Sequence, residues 1–302
     1  MSTESSSTAA DKSSSTATVP GRKTTTTGQP PPRTAGRGLR FRLAITIGQT
    51  AIVCAFLAVW QWADKVPVLR GFSFTSSFFI SRPTLVAREI ADLVTGSNGV
   101  PLVWQPFLNT LESAIVGTVA AIVVGSLGGL LLSNSAVLEH LARPFLFFLN
   151  SVPRVAVVPV FVLVVANASQ ADALTAFTVV VFLVFFNAFE GGISVPLELI
   201  QNARILGAGP MGIMWRVRWP EVLAWTFASL PNAISFGLVG SVTAELFTGS
   251  VGVGQLLTAA VDTSNATLTF ALVFILTVAG VILVVAANVL RKRVLRWRPE
   301  SA

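Results

Sequence analysis

The segment GGISVPLELIQNARILGAGPMGIMWRVRWPEV, residues 191–222, decides how this chain is organised. It is a polar and basic interruption between long apolar runs, and it carries three arginines. Lipid cannot satisfy exposed backbone groups, so such a stretch has to lie outside the hydrocarbon. The segment therefore predicts that the chain crosses a membrane before and after it. It also predicts that a cytoplasmic partner recognises the stretch between these crossings.

The composition supports a membrane protein built from helices. Of 302 residues, 53% are hydrophobic and 12% are charged, whereas soluble domains are about a quarter charged. The apolar runs approach or exceed the roughly 20 residues that a spanning helix needs, and they lack the alternation of barrel strands. We expect an all-α polytopic fold with about six spans, at 43–62, 107–133, 146–167, 172–192, 223–248 and 267–290.

Three prolines make the third of these spans the least regular. Pro144, Pro153 and Pro159 surround its entry, and proline removes a backbone donor from a helix. A kinked or partly re-entrant entry is therefore expected.

The regions outside the spans are predicted from their composition. Residues 1–40 are rich in Ser, Thr, Pro and Gly and cannot bury enough apolar surface to offset their chain entropy. We expect a disordered cytoplasmic tail there, a transmembrane domain over 41–293 and a short cytoplasmic tail over 294–302. The outer loop 63–106 should contain a short helix near 83–93, because its apolar residues recur at helical spacing.

The distribution of basic residues predicts the orientation. The formal net charge is +7; nucleic-acid binding is one explanation, but Lys and Arg also collect on the cytoplasmic loops of membrane proteins. With both termini in the cytoplasm, the outer segments carry four basic residues, all in the first outer loop: Lys65, Arg70, Arg82 and Arg88. We expect this topology, in the plasma membrane and without a nucleic-acid partner.

Small residues recur at every fourth position in two spans, where they share one helix face and allow close helix packing. They are Gly117, Ala121, Gly125 and Gly129 in the second span, and Ser229, Ala233, Gly237 and Ser241 in the fifth. The fifth series continues to Glu245, which places a carboxylate either along a packed seam or in water at the interface.

Few residues could carry chemistry. Asn150, Arg154 and Glu245 are candidates for a translocation pathway, since ionisable groups in membranes usually face a partner or a wet cavity; snorkelling from a helix end explains Arg154 equally well. One cysteine, Cys54, and one histidine, His140, argue against a metal site. No catalytic constellation and no phosphate-binding lysine motif is present, so we expect no enzyme activity and no cofactor bound by this chain.

The opening segment predicts two short helices. Pro196 suits the first turn of one, Gly207 and Gly209-Pro210 end it, and a second helix over 211–219 leads to Pro220. The first helix either rests on headgroups or docks a partner.

The same segment resembles the EAA loop of ABC importer permeases of the binding-protein-dependent type. That pattern reads E-A-A, three residues, Gly, nine residues and I-x-L-P; here Gln201-Asn202-Ala203, Gly207 and Val217-Arg218-Trp219-Pro220 keep the spacing. Gln201, Asn202 and Trp219 depart from it in residue type. The stretches ISRPTLVAREI (80–90), RPFLFFLNSVPRVAVVPVFVLV (143–164) and AELFTGSVGVGQLL (244–257) are similar to the sulfonate, taurine and nitrate branch.

This resemblance implies a permease subunit that imports a small solute and pairs with a second copy of itself as a homodimer. ATPase subunits that use ATP and Mg would receive the loop, and an extracytoplasmic binding protein would deliver the solute. The implied coupling residues are Glu198, Gln201, Asn202, Ala203, Arg204, Gly207 and Pro220. The alternative is a secondary transporter or channel, which would work without an ATPase and would favour two matching halves.

Overall fold

The computed structural model describes residues 35–62, 81–97, 102–165 and 167–296. The predicted tail up to residue 34, loop residues 63–80 and 98–101, and the end of the C-terminal tail from 297 lie outside the described residues. The chain divides into two compact units, Met1–Cys54 and Ala55–Ala302. In the first, the described residues form the beginning of one long helix; the second contains the remaining elements.

The described residues form helices throughout, with no strand among them. The helices are α1 (Ala35–Trp62), α2 (Pro83–Thr95), α3 (Trp104–Ser133), α4 (Ala136–Ser151), α5 (Arg154–Val165), α6 (Ala168–Ile193), α7 (Leu197–Ile205), α8 (Pro210–Ile213), α9 (Trp219–Thr248), α10 (Val253–Asp262) and α11 (Ala266–Val294). Within the described ranges, five helical stretches are long and apolar enough to cross a bilayer, and a sixth span results if one bent pair counts. The predicted all-α polytopic fold is confirmed.

The predicted third span, 146–167, is interrupted near its start, which confirms the kinked or re-entrant entry expected from its prolines. The chain breaks at Val152 and Pro153, and α4 and α5 meet at 90°. Val152 is extended, with φ −64° and ψ 126°, because the ring of a following proline disfavours the helical conformation. At 1.5 Å per residue, the 12 residues of α5 extend about 18 Å, short of the hydrocarbon thickness.

The second short helix predicted over 211–219 is helical and leads to Pro220, but it is not a distinct helix. α8 continues through a π-helical turn, Met214–Arg218, directly into α9. The Trp219 N–H donates to Met214 O, five residues back. Pro220 explains the wider turn, since it has no N–H to donate and its ring would clash with the carbonyl four residues earlier.

A close-packed seam between α3 and α6 forms the centre of the second unit. A Cβ added at Gly129 would lie 2.7 Å from Ala188 Cβ and 2.7 Å from Phe189 N, and one added at Gly125 would lie 3.0 Å from Phe185 N. The two backbones therefore approach as closely as glycine permits. Such contact is what holds helices together in lipid, where the hydrophobic effect between them is absent.

α9 completes this three-helix unit from its own small face. A Cβ at Gly240 would lie 3.0 Å from Ala176 Cα on α6, and one at Gly237 would meet the Thr118 hydroxyl on α3. The residues predicted to form packing faces are all buried here: Gly117, Ala121, Gly125, Gly129, Ala233 and Gly237.

The predicted short helix near 83–93 is present as α2. Its buried Val86 and Leu93 join Val253 and Leu272, from α10 and α11, in one hydrophobic cluster. Pro83 begins the helix and Gly96 ends it in the left-handed conformation, with φ 68°. α2 and α10 therefore cover α11 at the end of the molecule where α3 begins.

Replacing Gly129 by Ala tests the seam. The added methyl group has no space between α3 and α6, and overpacking of this kind costs about 1–3 kcal/mol. We expect a lower midpoint in thermal unfolding of the detergent-solubilised protein. Gly280→Ala is the matched control, because its Cβ would meet Leu238 Cδ2 at an ordinary 3.5 Å; equal midpoints for the two variants would contradict the seam.

Candidate functional site

The helix in the opening segment is positioned by a turn at each end. α6 ends at Ile193, where the Ser194 N–H donates to Glu190 O, and Pro196 is the N-cap of α7 rather than part of its first turn. Glu198 lies in the first turn and Arg204 in the last, which matches the helix dipole. Three residues, 194–196, therefore separate the end of α6 from the start of α7.

Gly207 ends α7 in a Schellman motif. The Gly207 N–H donates to Arg204 O at 2.9 Å, and the Ala208 N–H donates to Ala203 O at 2.9 Å. This arrangement needs a left-handed residue at position 207, where φ is +84°, and only glycine adopts that conformation without a steric penalty. The predicted turn residue therefore fixes where α7 stops.

One face of α7 packs and the other is open. Ile200 is buried against Val195 and Ile213, with Ala203 at the edge of this cluster. Beyond it, Gln201, Asn202 and Arg204 are exposed, and the tip carries Ile205 and Leu206, which are 82% and 85% exposed. The tip of α7 therefore presents two adjacent apolar side chains that the described residues leave uncovered.

The segment is tied directly to the ends of the three packed helices. A Cβ at Gly192 would meet Ser133, the last residue of α3, and would lie 3.4 Å from Val222 Cγ2 in the first turn of α9. A Cβ at Gly191 would lie 2.8 Å from the Trp225 side chain. The ends of α3, α6 and α9 therefore pack closely together where the segment begins.

At the opposite end of these helices, Glu245 lies in a buried polar cluster. It is 2% exposed, and its Oε2 atom accepts from Gly254 N at 2.7 Å and lies 3.0 Å from Thr110 Oγ1. Thr110 Oγ1 also accepts from Val253 N at 2.9 Å. The structure thus buries Glu245 between packed helices rather than in water, and there it joins α9 to α3 and to the first turn of α10.

A second carboxylate, Asp172, was missed by sequence reasoning. It is 1% exposed, and it accepts from Thr248 Oγ1 at 2.9 Å and from Ser250 Oγ at 2.5 Å. An acid near the start of an apolar run, with no basic residue at helical spacing, was the available signal. We call Thr110, Asp172, Glu245, Ser250 and Gly254 the polar clasp; it joins α3, α6, α9 and α10.

Asn150 and Arg154 lie together at the break between α4 and α5. Arg154 Nη2 donates to Asn150 Oδ1 at 2.6 Å, and the guanidinium lies 5.6 Å from the centre of the Phe182 ring. Its Nε atom is buried without a hydrogen-bond partner. The structure brings these two residues together and keeps them apart from Glu245, which belongs to the polar clasp.

Replacing Glu245 tests the polar clasp. Glu245→Ala leaves the Gly254 N–H and the Thr110 hydroxyl without this acceptor, which costs about 1–3 kcal/mol for buried groups, and should lower the thermal midpoint. Glu245→Gln keeps an acceptor oxygen and should lose less. Glu112→Ala, at an exposed carboxylate on α3, is the control; a loss as large as that of Glu245→Ala would contradict the assignment.

The arrangement offers no metal centre: among the described residues, no group of three or more His, Cys, Asp and Glu could hold an ion. What it offers is an exposed loop at one end of a rigid three-helix unit and a polar clasp at the other.

The chain is similar in sequence to several known transport permeases. The chain is 27% identical over 251 residues to a riboflavin transport system permease of Chloroflexus aurantiacus, covering 83% of this chain and 90% of the relative. It is 25% identical over 251 residues to a putative aliphatic sulfonates transport permease of Bacillus subtilis, covering 80% and 84%. It is 24% identical over 201 residues to a nitrate import permease of Leptolyngbya laminosa, covering 64% and 72%.

A family model described as the binding-protein-dependent transport system inner membrane component matches residues 117–297. This range is more than half of the chain and includes α6 to α11, with the Schellman turn after α7. The chain therefore belongs to the permease family of binding-protein-dependent ABC importers and is a multi-pass transport subunit.

Proposed function

We propose that this permease imports a small solute by coupling α7 to a separate ATPase subunit. The observation that carries the proposal is the exposed tip at Ile205 and Leu206, held by the Gly207 turn. A groove on the ATPase surface would take up this apolar tip, with Gln201, Asn202 and Arg204 as polar contacts around it. ATP and Mg would be bound by the ATPase and not by this chain.

The packing supports transmission of force from the tip into the membrane. Because Gly192 of α6 approaches Ser133 and Val222 so closely, a push that reaches the end of α6 would move the ends of α3 and α9 with it. The polar clasp lies at the far end of the same helices, so tilting of the unit would reposition the first turn of α10. Switching between two such packings, driven by ATPase contacts that differ between them, would open the pathway alternately to each side.

The proposed partners and orientation of the chain follow from its family. An extracytoplasmic binding protein would deliver the solute, and a second copy of this chain would complete the pore. Both termini and α7 would lie in the cytoplasm, as the distribution of basic residues favours. The curated relatives are permeases for compounds as different as nitrate, aliphatic sulfonates and riboflavin.

For the solute, we propose a sulfonate, taurine or nitrate-like compound or a related small organic molecule. Asn150 and Arg154 at the helix break are the proposed pathway residues, and the charge of Arg154 would favour an anionic group. Glu245 would act on the pathway indirectly, by holding the polar clasp.

Replacing Gly207 tests the coupling role of α7. A β-branched residue in the left-handed conformation costs roughly 1–2 kcal/mol, so Gly207→Val should weaken association with the ATPase by about five- to thirty-fold. Gly207→Asn should lose less, because asparagine adopts this conformation more readily. Association is measured as azido-ATP-labelled protein that co-purifies with the tagged permease from membranes of its own host.

The matched control is Gly209→Val, in the same loop. Gly209 has an extended backbone, with φ −71° and ψ 170°, and a Cβ there meets nothing within 4 Å. Association that is unchanged in Gly207→Val, or lost equally in Gly209→Val, would contradict the role given to the turn.

A further inference from the structure

A cavity lies between α4 and the end of α6. Its volume is about 390 Å³, within the range of small-molecule sites. Leu132, near the end of α3, and Glu190, near the end of α6, both line it, so it lies at the end of the packed helices where α7 follows. In the orientation proposed above, this is the cytoplasmic half of the membrane, where an imported solute leaves the permease.

Four phenylalanine rings form the apolar part of the cavity wall. Phe147 comes from α4, and Phe185, Phe186 and Phe189 come from α6. The rings of Phe185 and Phe189 are parallel, with centroids 6.4 Å apart, and the ring of Phe186 stands edge-on to that of Phe185 at 5.4 Å. The face of an aromatic ring is electron-rich, so a wall of such rings suits a cation better than an anion.

The charged groups of the wall leave one carboxylate unpaired. Arg143 Nη2 donates to Glu139 Oε1 at 2.5 Å, one turn away on α4, so these two charges offset each other. The third charged group of the lining is Glu190. Among the described residues, the Glu190 side chain makes no hydrogen bond or ion pair, and it is exposed. The cavity therefore presents a net negative charge that a ligand can reach.

Arg154 does not neutralise this carboxylate. Its Nη2 atom donates to Asn150 Oδ1, and its guanidinium lies over the ring of Phe182. Phe182 precedes Glu190 by eight residues, about 12 Å along a helix, which exceeds the screening length of roughly 8 Å in physiological salt. Asn150 also lines the cavity, so the cavity adjoins the residues proposed above for the pathway.

We propose that this cavity binds the ammonium group of a small organic solute. The cation lies among the phenylalanine rings and pairs with the Glu190 carboxylate. This inference rests on the proposed transport function and specifies its solute: a compound with an ammonium group, such as an aminosulfonate, rather than an inorganic anion such as nitrate. Lipid headgroups also carry ammonium groups, and the test separates the two sources.

The test measures binding of labelled choline to the purified full-length permease by equilibrium dialysis. The permease is held in a maltoside detergent, which has no ammonium group, and competitors are added at constant ionic strength. Unlabelled choline should displace the label about fivefold better, or more, than 3,3-dimethylbutan-1-ol, in which carbon replaces the nitrogen and removes the charge. Sodium nitrate should displace none of the label.

Two variants locate the binding. Glu190→Gln removes the charge and keeps the size, and it should weaken choline binding about two- to fivefold, as expected for an ion pair that water still reaches. Phe186→Leu removes one ring and should weaken binding by a similar factor. Glu112→Gln, at an exposed carboxylate on α3, and Phe236→Leu, at a ring on α9 that is 48% exposed, are the matched controls and should bind choline as the parent does.

Equal displacement by choline and its uncharged analogue would overturn the proposal, and so would binding that is unchanged in both Glu190→Gln and Phe186→Leu. Displacement by dihexanoylphosphatidylcholine at far lower concentration than by choline would assign the cavity to a lipid headgroup and overturn its assignment to a solute. Co-purification of the ATPase should be the same in Glu190→Gln as in the parent. The ammonium site can therefore fail this test while the coupling role of α7 stands, and the reverse also holds.

Discussion

The close approach of α3 to α6 is the constraint on which the rest of the structure depends. Lipid provides no hydrophobic drive between spanning helices, so their association rests on van der Waals contact between backbones. Gly125 and Gly129 allow this contact on α3, and Gly240 extends it to α9. Because the glycines leave no free space between the backbones, we expect the three helices to move together. A displacement at one end of these helices would therefore be expected to reach the other end.

The two ends of this three-helix unit differ in the kind of contact that they make. At one end the Schellman turn at Gly207 presents apolar side chains on a short helix, a surface that can be bound and released without breaking buried hydrogen bonds. At the other end the polar clasp holds Glu245 and Asp172 through directional bonds from hydroxyl and backbone donors. Such bonds are strong in a low dielectric and have discrete geometries. The loop offers an apolar contact without fixed geometry, and the polar clasp offers hydrogen bonds with fixed geometry. This combination is compatible with a three-helix unit that switches between two positions.

Much of this architecture could be predicted from the sequence. The long apolar runs predicted the spanning helices, and the small-residue series predicted which faces of α3 and α9 would pack, because both signals are local and periodic. The break around Pro153 was predicted as a kinked or partly re-entrant entry, but not its angle, because proline indicates where a helix breaks and not how far it turns. The π-helical turn before Pro220 was missed because it depends on how α8 meets α9. The bonds of Asp172 to Thr248 and Ser250 were also missed, because they join residues far apart in the chain, and no spacing rule connects them.

The account depends most on contact between the tip of α7 and an ATP-hydrolysing partner, and site-directed crosslinking tests that contact directly. Cys54 is exposed and is first replaced by Ser, after which a single cysteine is introduced by Leu206→Cys and modified with a photoactivatable reagent in native membranes. Val137→Cys, at an equally apolar and 79% exposed position on α4, is the reference. We predict that position 206 crosslinks to a chain that azido-ATP also labels and that position 137 does not. Failure of position 206 to capture such a chain, or equal capture at both positions, would contradict the account.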